Sequence, residues 1–155
     1  MAAANFLDAI ARMPGCAGSH RDGTQAYTQV ELKDAPRLLG LPKYQVPDTY
    51  VTIPADRRPK PEDGKLYELW QSIPDPVVLL ERNVYGHPLG GLLWDRFLEE
   101  NLMATGWEKI PGWECLYVHR RYKVWLSAYV DDFKMAGQAT SIPKAWKELD
   151  EAIDN

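Results

Sequence analysis

The chain has 155 residues, of which 45% are hydrophobic and 26% charged, and its formal net charge is −4. Such a length predicts one globular domain with a real core, and no apolar run approaches a membrane span, so no membrane partner is expected. The acidic balance lacks the basic footprint of an autonomous nucleic-acid binder, and the N-terminus is too polar for a signal peptide. Cys16 and Cys115 have no metal-ligand spacing and read as reduced thiols. An intracellular protein, cytoplasmic or nuclear and not secreted, is expected.

Phe6, Leu7 and Ile10 stand at helical spacing and predict a short helix over 3–12, stopped by Pro14-Gly15. Residues 15–23 are rich in Gly and Ser and give no strand signal. Residues 27–32 extend weakly. Residues 50–54 predict a short strand ended by Pro54. The proline-rich stretch 55–64, with Arg57, Arg58 and Lys60, reads as an exposed loop, and 65–70 as an insertion. Residues 76–81 predict another strand, and 83–91 a turn dense in Gly and Pro.

A helix follows, with Leu92, Leu93, Trp94, Phe97, Leu98 and Leu102 on one apolar stripe and Gly106 at its end. Trp107 and Trp113 flank Pro111-Gly112 and are expected to pin that loop. Residues 114–119 and 123–130 predict a β-hairpin, and 133–137 a further strand. A last helix starts near Ser141, with Pro143 in its first turn and Trp146, Leu149 and Ile153 on its buried face. The order implies an α+β fold, an antiparallel sheet with helices packed on one face. His20, His87 and His119 have no ligand spacing and are assigned to turns or the surface. Trp94, Trp125 and Trp146 are assigned to the core.

The chemistry concentrates in Tyr129-Val130-Asp131-Asp132, which lies between two strand-like runs. Aspartate is a poor strand former, and adjacent aspartates repel. A divalent cation shared with a third carboxylate relieves the repulsion, which is the electrostatic core of two-metal phosphoryl transfer. The best third carboxylate is Asp22, followed at four and five residues by Ala26 and Tyr27.

These segments, in this order, resemble the reverse transcriptase of copia-type retrotransposons. Asp22 to Tyr27 is similar to the first polymerase motif. Val84-Tyr85-Gly86 through Trp94 is similar to the family's Leu-Tyr-Gly turn and its tryptophan-bearing helix. Cys115-Leu116-Tyr117-Val118 and Tyr129 to Asp132 are similar to its catalytic hairpin. Residues 49–54 resemble the short strand after the first motif. The likeness runs from Asp22 to about Asp154.

The resemblance implies a palm-like fold and RNA-directed DNA polymerase activity with two Mg²⁺ ions, Mn²⁺ being a possible substitute. It implies Asp22, Asp131 and Asp132 as catalytic residues and metal ligands, with the Gly23 carbonyl as a further ligand. Tyr27 would gate the nucleotide sugar, and Gly86 and Tyr129 would approach the primer–template. The implied partners are an RNA or DNA primer–template, deoxynucleoside triphosphates and flanking polyprotein segments: fingers, thumb and ribonuclease H. The 155 residues are expected to form one partial polymerase domain, with an N-terminal helix and loop at 1–21, a catalytic palm at 22–137 and a C-terminal helix at 138–155. Where the family's turn carries Gln and Arg, this chain has Leu89 and Leu92. Two other readings stay open: a non-catalytic relic or nucleic-acid- or protein-binding module that keeps the palm fold, and another two-metal enzyme such as a nuclease.

Overall fold

The computed structural model describes residues 2–153; Asp154, where the polymerase likeness ends, lies outside them. The chain divides into two compact units, one formed by residues up to Val30 together with those from Asn83 onward, the other by Glu31–Arg82. Residues 31–82 fall inside the stretch that the sequence assigns to the palm.

The first unit is built on a five-stranded antiparallel sheet. Helix α1 spans Ala2–Ala11 and leads into strand β1, Cys16–Asp22. Helix α4, Gly90–Ala104, precedes the short β4, Glu108–Lys109. Strands β5, Leu116–His119, and β6, Val124–Tyr129, form the expected hairpin. Strand β7, Asp132–Gln138, follows, and helix α5, Ile142–Ala152, ends the unit. The strand order is β1-β7-β6-β5-β4, so the first strand in sequence pairs with the last.

Strand β1 corrects the expectation of a loop at 15–23. Its residues, Cys-Ala-Gly-Ser-His-Arg-Asp, carry no strand propensity of their own. They become a strand because all seven pair with β7, from Cys16 opposite Gln138 to Asp22 opposite Asp132. Gly18 leaves room for α1: a Cβ there would lie 3.0 Å from Cβ of Ala11.

Paired residues share a face and successive residues alternate. Gly18, Ala136 and Trp125 therefore lie on one face with His20, Lys134 and Leu116. Helix α1 covers this face, burying Ala3, Leu7 and Ile10 against Leu116 and Ala136. The opposite face carries Phe133, Met135, Leu126 and Tyr117, all buried. Helices α4 and α5 lie there, with Leu93, Leu98, Leu102, Trp146 and Leu149 buried. The sheet is thus covered on both faces, not one. The expectation failed because the apolar stripe of α1 does not say which side of a sheet it serves.

His119 is also corrected. It is 5% exposed, with its Nε2 3.3 Å from the Thr105 carbonyl and 3.6 Å from a Glu148 carboxylate oxygen. Its ring stands edge-on to Trp107 at 5.3 Å and stacks on Tyr122 at 4.4 Å.

The second unit holds helix α2, Ala35–Leu39, helix α3, Lys65–Ser72, and a two-stranded sheet of β2, Tyr50–Thr52, and β3, Val77–Leu79. Its ends meet in a bridge between Glu31 and Arg82. Residues 65–70, read as an insertion, are the body of α3. No helix among the described residues is long and apolar enough to cross a membrane.

Candidate active site

The antiparallel register of β1 and β7 brings two of the three predicted carboxylates together. Asp22, the last residue of β1, stands directly opposite Asp132, the first residue of β7. Asp131 lies beside them in the two-residue turn that joins β6 to β7, between the paired Tyr129 and Asp132. The Gly23 amide donates a hydrogen bond to the Asp131 carbonyl, so the turn is tied to the chain leaving β1.

Gly23 is sterically constrained here. A Cβ on it would lie 2.5 Å from Cε2 of Phe133, a ring that is itself buried. Gly23→Ala is expected to cost about 1–3 kcal/mol, the usual size of overpacking. Urea denaturation measures it, and an unchanged midpoint would show that the Phe133 ring gives way freely.

The side chains of Asp22 and Asp132 are 86% and 62% exposed. Core packing therefore does not hold either carboxylate. A cationic or donor group already reaches both: His20 Nε2 lies 2.8 Å from Oδ1 of Asp132 and 3.7 Å from Oδ1 of Asp22. His20, with its side chain 57% exposed, lies at the surface as expected and joins the site there. Its position, two residues before Asp22, was the available signal, because residues two apart in a strand share a face. The signal needed the strand, which the local sequence did not announce.

The donor set is hard oxygen throughout, three carboxylates and a backbone carbonyl, and suits Mg²⁺ or Mn²⁺. The imidazole between Asp22 and Asp132 stands where a cation would balance the same charges. Among the described residues, no three His, Cys, Asp or Glu side chains are already gathered as a metal-holding group. Binding therefore requires the exposed carboxylates to swing inward from their present rotamers.

Tyr27 lies in a 3-10 turn, Ala26–Gln29, rather than in an extended segment. Its ring packs on that of Tyr85 with centroids 4.3 Å apart. Partial burial, then interaction with the neighbouring acidic groups Tyr85, Asp95, Tyr129 and Asp131, pushes its hydroxyl above its ordinary value. It remains a neutral donor at neutral pH. Tyr129 closes β6 and is 70% exposed, and Tyr85 is 62% exposed. Gly86, beside Tyr85, has φ 91°, a turn conformation that favours glycine.

Behind these groups α4 is anchored by Asn83, fully buried, whose side-chain amide donates to the Gly90 carbonyl at 2.9 Å. Leu89 and Leu92 are 36% and 45% exposed. Core packing therefore does not demand leucine at either position, and Leu92 lies off the buried stripe. Below the carboxylates, on the α5 side, a cleft of about 240 Å³ is lined by Arg21, Asp22, Phe133, Trp146 and Asp150. Arg21 is occupied there, bonding Asp150 at 2.9 Å and lying over the Trp146 ring at 4.6 Å.

Comparison with protein-family models, with curated proteins and with solved structures found no match for this chain.

Proposed function

We propose that this chain is the palm region of an RNA-directed DNA polymerase similar to the copia-type reverse transcriptases. The observation that supports it best is the β1–β7 register, which sets Asp22 opposite Asp132 with Asp131 in the adjoining turn. Carboxylates from two distant segments, converging at one sheet end, are what two-metal nucleotidyl transfer requires. A structural role explains them poorly, since exposed aspartates in register repel and add nothing to the core.

In this reading Asp22, Asp131, Asp132 and the Gly23 carbonyl would hold Mg²⁺ or Mn²⁺. The metal supplies charge stabilisation for the transferring phosphoryl group and acidifies the attacking hydroxyl. The protein's own residues orient the substrates. Tyr27, braced by Tyr85, presents a neutral ring and hydroxyl beside the nucleotide sugar. Tyr129 projects from the end of β6 toward a primer–template. The turn at Gly86 lets a nucleic-acid backbone approach without a side chain in the way. The partners in this reading are a primer–template, deoxynucleoside triphosphates and the fingers, thumb and ribonuclease H segments of a polyprotein.

A second reading, a non-catalytic module that keeps the fold, is favoured by one observation. His20 occupies the two register-paired carboxylates, a contact that competes with a metal for Asp22 and Asp132.

A calorimetric Mn²⁺ titration tests the polymerase site. Wild type is expected to bind, and Asp131→Asn to bind more than about tenfold more weakly, since even outer-shell partners of a metal are worth that much. Identical titrations for the two proteins would overturn the metal site and leave the non-catalytic reading.

A further inference from the structure

The turn between β6 and β7 holds a residue where its chemistry disfavours it. Val130 has φ 55°, whereas Asp131 is absent from the positive-φ residues. A two-residue hairpin turn with positive φ at its first position alone is the II′ arrangement, in which glycine is the preferred residue. Valine there is crowded against its own backbone and persists only where the surroundings over-determine it.

Two donors from separate elements supply that constraint. Trp94, on α4, donates from its indole Nε1 to the Val130 carbonyl at 2.9 Å. The Gly23 amide donates to the next carbonyl, that of Asp131. Trp94 is 1% exposed, so packing fixes its ring and the direction of its N–H. Phe97 lies beside it on the same helix, with centroids 5.8 Å apart. Consecutive carbonyls of the turn are thus held from α4 on one side and from the end of β1 on the other.

We infer that Trp94 is a positioning residue for the carboxylates, clamping the strained Val130 turn so that Asp131 leaves it in one direction. Without the indole donor, Val130 relaxes toward negative φ, the intervening peptide plane rotates, and the Asp131 carbonyl turns away from Gly23. The clamp stands on the geometry alone; its consequence for metal binding rests on the polymerase reading.

Trp94→Phe keeps an aromatic ring in the core and removes the N–H. Val130→Gly accepts φ 55° without support. Exchange of the Gly23 amide with solvent, followed by NMR, is compared in wild type, both single variants and the double variant, with a Mn²⁺ titration of each. Trp94→Phe is expected to speed Gly23 exchange and weaken Mn²⁺ binding, each by about fivefold, the size of one hydrogen bond's contribution. Adding Val130→Gly is expected to restore both. Unchanged Gly23 exchange in Trp94→Phe overturns the clamp. So does a double variant that is not restored, because the loss then belongs to core damage. If Trp94→Phe does not fold, Val130→Gly alone decides: a melting temperature above wild type supports the strained turn, and one below it overturns it. Wild type that binds no Mn²⁺, with Gly23 exchange following the expected pattern, sinks the metal site and supports the clamp.

Discussion

Primer extension by these 155 residues alone is expected to be absent at physiological salt, with Mn²⁺ as with Mg²⁺. Metal-bound carboxylates are one requirement of the reaction, and a held primer and a clamped triphosphate are the others. Positioning of reactants is worth roughly 7–11 kcal/mol, or about 10⁵-fold and more in rate. Arg21, next to Asp22, and Lys134, two residues after Asp132, are committed elsewhere: Arg21 to Asp150, and Lys134 to Asp8 at 2.7 Å. The net charge of −4 adds a repulsion against a nucleic-acid backbone. If the polymerase proposal holds, the chain joined to polymerase segments that hold primer and triphosphate is expected to extend a primer, and Asp132→Asn in that longer protein to abolish extension. A primer-extension assay on both proteins measures this. Robust synthesis by the 155 residues alone would show that they position both substrates themselves. No synthesis by the longer protein, with its fold intact, would direct attention to Leu89 and Leu92.

Phe133→Ala is expected to destabilise the protein by about 3–5 kcal/mol, the usual range for deleting a buried aromatic ring. Phe133 is 2% exposed and sits on the α5 side of β7. It fills the space under Gly23 and lines the cleft with Trp146 and Leu149. The cavity left behind cannot easily collapse, because β1 and β7 are held in register over seven pairs. Such a loss is a large share of the roughly 5–15 kcal/mol that stabilises a domain. Urea denaturation followed by tryptophan fluorescence reads it directly. Leu69→Ala, at a side chain that is 58% exposed, is the control and is expected to change stability by less than about 0.5 kcal/mol. Equal effects of the two substitutions would mean that Phe133 is not a core residue.

The two expectations meet in the same strand. Phe133 follows Asp132 directly, so its ring points to one side of β7 while the carboxylate points to the other. Packing on the α5 side therefore fixes the height and direction from which Asp132 emerges. Gly23 completes this arrangement from β1, lying over the ring and bonding the Asp131 carbonyl. Stability and site geometry are coupled through one buried aromatic ring, and substitutions beneath the carboxylates should disturb both.

The sequence alone determined the elements whose signal is local. The spacing of Phe6, Leu7 and Ile10, and of Leu92, Leu93, Trp94, Phe97, Leu98 and Leu102, placed α1 and α4, because helical periodicity needs only neighbours within two turns, although Leu92 proved exposed. The runs 114–119 and 123–130 placed the β5–β6 hairpin, and 133–137 placed most of β7, with Asp131 and Asp132 between the last two runs. Tertiary structure alone decided what depends on distant partners. Strand β1 exists through pairing with β7, although its own residues favour a loop. His20 reaches Asp132 across 112 positions of sequence, and Trp94 reaches Val130 across 36. No local pattern records such distances, since a hydrogen bond between remote segments leaves no periodicity in either. The same reason hid the second covered face of the sheet: amphipathicity tells a helix to bury a stripe, and only the three-dimensional packing of α1 against Leu116 and Ala136 tells it where.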